Sequence, residues 1–254
     1  MRLALVASLA LAFAVLVTTN CAYMNITFLN TTVLLGNNNS ARVIEVLSLY
    51  VSNGSVGQYI ADRQAVNLTL SDWQQVLNTN LLVEHILPTK SSVARFNFLP
   101  GPIENFGNGG IADLVLTYSV PNVTTVTNIG PRKFEYTFNK GVFNFLHTAS
   151  GEALSQNTRL NILLPSGAQI VSVYPLPDSP QVSFVGNYSG TRFSWYSGEP
   201  LSRFNLQYVT QESLQSEVVD YFSNIYEMYK SYLIPLLLTL FFGLLVYYQV
   251  KNIR

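Results

Sequence analysis

Lys133-Phe-Glu-Tyr-Thr-Phe-Asn139 alternates polar or charged residues with aromatic ones, so Phe134, Tyr136 and Phe138 share one face of an extended chain. Period two is the signal of a half-buried strand, and it decides the class of this chain as mainly β. A ladder of rings on one face is ordinarily core filling; were that face open to solvent, it would instead suit stacking against carbohydrate.

The same period continues outward in both directions. Ile111–Val120, Val142–His147, Arg159–Leu164, Gln169–Tyr174, Val182–Val185, Arg192–Tyr196 and Arg203–Val209 are expected strands. They are separated by turn chemistry at Pro121-Asn122, Gly130-Pro131, Pro165-Ser166-Gly167 and Ser197-Gly198-Glu199-Pro200. No crossover helix fits between them, which points to an antiparallel β-sandwich. Toward the N-terminus, Met24–Leu29, Thr32–Leu35, Arg42–Val51, Leu81–Leu87 and Val93–Leu99 read as further strands. One short helix is expected from Ser71 to Thr79, with Ser71 and Gln74 at capping-box spacing and Trp73, Val76 and Leu77 on the packed face. The breaker-rich stretch from Pro100 to Gly110 reads as a domain boundary or a long surface loop. It divides an N-terminal β-rich module, 23–100, from a β-sandwich module, 101–210, so the fold holds one or two modules.

After Gln211 the period changes. Leu214, Val218, Tyr221, Phe222, Ile225, Met228 and Tyr232 recur at spacings of three and four, the stripe of an amphipathic helix over 211–231. Its apolar face suits a stalk lying on the sandwich or the membrane surface, or a seam for a partner helix along Leu214, Val218, Tyr221, Ile225, Met228 and Tyr232. The run Tyr232–Tyr248, YLIPLLLTLFFGLLVYY, carries no charge. Continued through Val250, at about 1.5 Å per residue, it nearly matches a hydrocarbon core of about 30 Å and is expected to span a membrane. Tyrosines flank it on both sides, and Lys251 and Arg254 in the tail, 251–254, place that end in the cytoplasm by the positive-inside rule. Residues 1–22, with Arg2 ahead of an apolar run, resemble a secretory signal peptide. The expected topology is single-pass type I, with the bulk of the chain extracytoplasmic.

Charge excludes one class of partner. Fourteen cationic and 14 anionic side chains give a formal net charge of zero, without the basic footprint that nucleic acid requires. The sole cysteine, Cys21, falls in the signal region, so the external domain has no disulfide. Sequons begin at Asn25, Asn30, Asn38, Asn53, Asn67, Asn122 and Asn187, all on the side assigned as external. Together with the missing disulfides they point to an archaeal envelope glycoprotein. His85 and His147 are the only histidines, and neither has a second ligand at metal-binding spacing. There is no nucleophile elbow, no H-E-x-x-H and no phosphate or dinucleotide fingerprint, so no catalytic residue, cofactor or metal is expected.

From Leu164 the chain carries Leu-Pro-Ser-Gly-Ala-Gln-Ile170, Tyr174-Pro-Leu-Pro177, Thr191-Arg-Phe-Ser-Trp-Tyr196 and Phe204-Asn-Leu-Gln-Tyr-Val209 ahead of the expected span. This pattern resembles archaeal single-pass membrane proteins with an external β-rich domain, a resemblance that covers the last third of the chain and implies placement rather than an activity. The expected function is a non-enzymatic, membrane-anchored binding or structural element of the cell envelope, with protein or glycan partners outside the membrane. Two alternatives stand beside it: an accessory subunit of a translocation, glycosylation or transport complex, and an exported glycan hydrolase working through a carboxylate pair.

Overall fold

In the computed structural model the described residues are 23–65, 68–88, 93–107, 109–149, 151–178, 181–185, 188–211 and 214–253. The expected signal peptide, 1–22, lies outside them. The chain divides into two units, one made of Met1–Thr127 and Phe134–Thr210, the other of Asn128–Lys133 and Gln211–Arg254.

The elements of the β-rich part are β1 (Met24–Leu35), β2 (Ala41–Ser52), α1 (Val56–Gln64), α2 (Leu70–Leu77), β3 (Ala94–Phe106), β4 (Gly109–Val120), β5 (Thr124–Gly130), β6 (Lys133–Phe138), β7 (Leu146–Thr148), β8 (Gly151–Ala153), β9 (Thr158–Leu163), β10 (Gln169–Tyr174), β11 (Gln181–Val185), β12 (Tyr188–Tyr196) and β13 (Asn205–Gln211). They form a seven-stranded sheet in the order β11-β12-β9-β1-β2-β4-β3, a four-stranded sheet in the order β10-β13-β6-β5, and the small pair β7-β8. The class is mainly β, with sandwich-like layering. β2 shows why these residues pair: Ala41, Val43, Glu45, Leu47, Leu49 and Val51 turn inward and are buried, while Arg42, Ile44, Val46, Ser48 and Tyr50 alternate outward. One buried cluster draws from both large sheets, joining Val43, Leu47, Leu114 and Ile162 to Tyr136, Phe138, Leu206 and Tyr208.

The large sheet is not wholly antiparallel. β1 pairs with β9 in parallel register, from Leu29 opposite Thr158 to Leu34 opposite Leu163. A local crossover helix is unnecessary, because the connection between these two strands is more than a hundred residues of chain that builds most of the rest of the domain.

Several sequence expectations are corrected. Met24–Leu29 and Thr32–Leu35 are one strand, with a register shift between Ile26 and Phe28. The Pro100–Gly110 stretch is the end of β3 and the tip of its hairpin with β4, and strands from both sides of it share the seven-stranded sheet. Leu81–Leu87 is irregular, and among the described residues its β-pairing is the single bridge of Ile86 to Phe143. Val142–His147 gives way to a 3-10 turn, Lys140–Val142, and the short β7. α1, β5 and β8 had no counterpart in the expected elements. The short helix forms, but its cap is Thr69: Thr69 Oγ1 accepts from the Asp72 amide and the Asp72 carboxylate accepts from the Thr69 amide, a reciprocal box worth about 1 kcal/mol. Its Trp73 is buried edge-on against Tyr59 of α1 and Phe98 of β3, with ring centroids 5.6 and 5.9 Å apart. The aromatic face of β6 belongs to the core: Tyr136 and Phe138 are buried, and Tyr136 stacks on Tyr208 at 5.0 Å.

In the second unit α3 (Leu214–Ile253) is one helix of 40 residues that runs through Pro235. The expected joint between stalk and span at 231/232 is therefore not a break in the helix. Among the described residues no helix is long and apolar enough to cross a membrane. The side chains of Leu233, Ile234, Leu236, Leu237, Val246, Tyr247 and Val250, which carry much of the apolar run, lie outside the described ones.

Candidate functional site

Two places in the β-rich unit gather polar groups, one sealed and one open. The sealed one begins with Glu45, fully buried at an inward position of β2. A carboxylate there must be satisfied by protein donors. Its Oε1 accepts from the His85 amide at 2.9 Å and from the Tyr118 hydroxyl, and its Oε2 faces His85 Nδ1 at 2.9 Å. The Tyr118 hydroxyl in turn accepts from the Ile86 amide at 3.1 Å. Burial first, and then the neighbouring Glu45 charge, push the Tyr118 phenol above its usual range. The His85 ring stacks on Phe145 at 5.2 Å, and the His85 carbonyl accepts from the Asn144 amide at 2.8 Å. A Glu–His–Tyr grouping has the parts of an acid–base device, but His85 is 4% exposed and Glu45 and Tyr118 are 0% exposed. It clamps the irregular segment around His85 and Ile86 onto the inner face of the sheet.

The open place lies on the outer side of the same sheet. A cleft of about 480 Å³ is bordered by Arg42, Arg95, Asn97, Thr117, Ser119, Asn38 and Ser40, with Leu34, Gly36, Ala41 and Tyr118 completing its lining. Alternation in β2 and β4 sets Arg42, Thr117 and Ser119 opposite in direction to the buried Val43, Tyr118 and Val120. Arg42 pairs in register with Ser119, which pairs in turn with Ala94, so the two arginines flank β4. Between Ala94 and Asn97 the register of β3 shifts, and Arg95 sits there at φ 54°. A non-glycine residue in the left-handed region costs about 1–3 kcal/mol, and bulges of this kind re-aim a side chain. Among the described residues, neither guanidinium has a hydrogen bond or an ion pair, and no acid borders the cleft.

The wall on the β1–β2 side is the turn 36–40, and it is held firmly. Asn38 Oδ1 accepts from the Ser40 hydroxyl at 2.8 Å, the Asn37 carbonyl from Tyr136 Oη at 2.7 Å, and the Asn39 carbonyl from the Val123 amide at 2.8 Å. Asn39 Nδ2 also donates to Asn122 Oδ1 at 2.9 Å. The cleft is thus pre-formed by backbone pairing and turn bonds.

The residues singled out in the sequence fall elsewhere or only partly here. Of the sequon asparagines, Asn25, Asn38, Asn53 and Asn122 are exposed, and Asn30 is half-buried with its Oδ1 accepting from Asn161 Nδ2 at 2.7 Å. Asn67 and Asn187 lie outside the described residues. Only Asn38 borders the cleft. On the expected partner face of α3, Val218, Tyr221, Met228 and Tyr232 are exposed and Ile225 is half-buried; the side chain of Leu214 lies outside the described ones. His147 is exposed on β7, whereas His85, expected in a strand, is in the irregular segment and meets Glu45. Sequence reasoning missed Glu45, Tyr118, Arg42 and Arg95. The phase of β2 carries a trace of Glu45, since it shares parity with Val43 and Leu47, but nothing local announces the two arginines.

No family model and no curated protein matches this chain. Among solved structures it is similar to the Fcho1 Mu homology domain of Danio rerio with bound Eps15 peptide, at 12% identity over 75% of this chain and 79% of that one. The TM-score of that superposition is 0.21, too low to carry an argument about fold or function.

Proposed function

We propose that this protein is a non-enzymatic, membrane-anchored element of the cell envelope, whose extracytoplasmic β-sandwich-like domain binds a ligand or partner and whose C-terminal helix anchors it. The observation that carries this is the outer half of α3. Leu238, Leu240, Phe241, Phe242, Leu244 and Leu245 are all exposed, and at about 100° per residue they cover roughly half of the circumference of the helix. An exposed apolar face this wide, made of large side chains, needs an apolar surrounding, which a bilayer supplies. The uncharged run Tyr232–Tyr248, with tyrosines at both ends, supports the same placement.

Alkaline carbonate extraction of membranes carrying the full-length chain tests the anchor. The protein should stay in the pellet, with the β-rich domain accessible to protease from the outside only. Release into the supernatant would overturn the proposal.

A second function, as accessory subunit of a membrane complex, is favoured by the stripe Val218, Tyr221, Met228 and Tyr232, which offers an open face ahead of the apolar half. Val218→Glu combined with Ile225→Glu should then shrink the native complex on a blue native gel. An unchanged size removes this alternative.

A further inference from the structure

We infer that the cleft bordered by Arg42 and Arg95 binds an acidic saccharide, its carboxylate or sulfate held between the two guanidinium groups and its hydroxyls met by the polar side chains around them. This rests on the proposal that the external domain is a binding element and names what it binds. Arg42 and Arg95 lie on β2 and β3, with β4 between them. At about 4.8 Å per strand spacing their Cα atoms are about 10 Å apart, and two arginine side chains can close over the intervening strand to grip one anion. The floor they would close over presents Thr117 and Ser119 hydroxyls.

Three features favour an anionic ligand. Neither guanidinium has a protein partner among the described residues, although the chain holds 14 acids to 14 cations. No acid borders the cleft to compete. Arg95 is set there by a left-handed backbone that arginine does not prefer, in a bulge, which is where chains re-aim side chains for a purpose. The remaining lining separates a saccharide from a peptide. Asn38, Ser40, Asn97, Thr117 and Ser119 offer amides and hydroxyls, which pair with ring hydroxyls, while a peptide-binding groove needs apolar pockets for side-chain anchors. A volume of about 480 Å³ lies in the range for a small ligand or a short segment of a chain.

The test is calorimetric titration of the full-length protein, in a neutral detergent, with three probes: a galacturonic acid trimer, a sulfated glucose oligomer and a neutral glucose oligomer of the same length. At least one acidic probe should bind, with an affinity that falls as salt is added, and the neutral probe should bind at least about tenfold more weakly. Which acidic probe binds tells carboxylate from sulfate recognition. Arg42→Gln should weaken that binding at least about tenfold. Arg95→Asn should do the same, and asparagine tolerates the left-handed conformation, so that variant removes the charge without straining β3. Unchanged unfolding curves for both variants confirm that the loss is local. Binding of neither acidic probe, equal binding of the neutral one, or variants that bind like the parent would each overturn the inference. If saccharide binding is absent while the chain still resists carbonate extraction, the ligand is wrong and the anchored domain stands.

Discussion

Glu45 is the side chain on which the inner face of the sheet turns. Removing one partner of a buried, hydrogen-bonded charge leaves the others unsatisfied, at a cost of about 3–5 kcal/mol. Glu45→Leu strands the His85 amide and the Tyr118 hydroxyl and should cost that much in urea unfolding. Glu45→Gln keeps an acceptor for both and can donate to His85 Nδ1, so it should cost no more than about 1.5 kcal/mol. Equal losses in the two variants would mean that charge, and not hydrogen bonding, sets the value of the site. In the sequence Arg42–Val51 both parities carry apolar residues, Val43, Leu47 and Leu49 on one and Ile44, Val46 and Tyr50 on the other, so the inward phase is ambiguous and nothing local marks Glu45 as buried. Its partner His85 lies 40 positions away on a segment without regular structure, beyond the reach of any local pattern.

At the scale of elements, β3 and α1 explain each other. β3 keeps going through Pro100-Gly101-Pro102 by shifting register between Pro100 and Ile103, and α1 takes up the carbonyls this leaves over. Tyr59 Oη donates to the Gly101 carbonyl at 2.7 Å, and Arg63 Nε to the Pro100 carbonyl at 3.2 Å. Gly101 is required by space: a Cβ there would lie 2.7 Å from the Asp113 carbonyl oxygen of β4. Gly101→Ala should therefore destabilise by about 1–3 kcal/mol, the range for overpacking against a rigid neighbour, measured by thermal or urea unfolding. A stability within 0.5 kcal/mol of the parent, a figure on the order of ordinary surface substitutions, would show that β3 can shift away from β4. In the sequence this run of proline and glycine reads as a domain boundary or a long surface loop, because in most contexts such residues end an element; here a bulge and a helix absorb them. α1 itself was invisible because a single one of its side chains, Tyr59, is buried, too thin a stripe to set a period. β2, β4, β9 and β10 were legible to within about two residues at each end, because each is an apolar-rich run closed by turn residues.

For the whole molecule, buried phenols set an alkaline limit. Desolvation pushes Tyr59 up to about 12, and Tyr118 and Tyr208 are driven upward for the same reason, with Glu45 and Tyr136 adding to them respectively. An acid whose folded pKa is raised stays protonated in the native state while the unfolded chain ionises, so the unfolded state binds fewer protons. Stability should be flat below about pH 10, the ordinary tyrosine value, and fall steadily from there toward pH 12. Tyr118→Phe should make that fall shallower, as read from urea midpoints across the range; an unchanged slope would place the alkaline sensitivity elsewhere. The mainly β class of the molecule was plain from periodicity, as was helix after Gln211. The sheet order was not, because pairings between distant strands leave no mark on either strand alone.

The parallel seam of β1 with β9 bears on the order in which this domain assembles. β1 with β2 and β3 with β4 are antiparallel pairings of strands consecutive in the sheet and close in the chain, β2 joins β4 across the two helices and β3, and all four can pair as soon as Val120 has been made. The other side of β1 has no partner until Thr158–Leu163 arrives, and only then can β12 and β11 add beyond it. A nascent chain therefore carries a four-stranded half-sheet with an open β1 edge until Thr158–Leu163 has been made. Closing a loop that long is slow compared with hairpin formation, so this seam should be among the last pairings of the sheet to form.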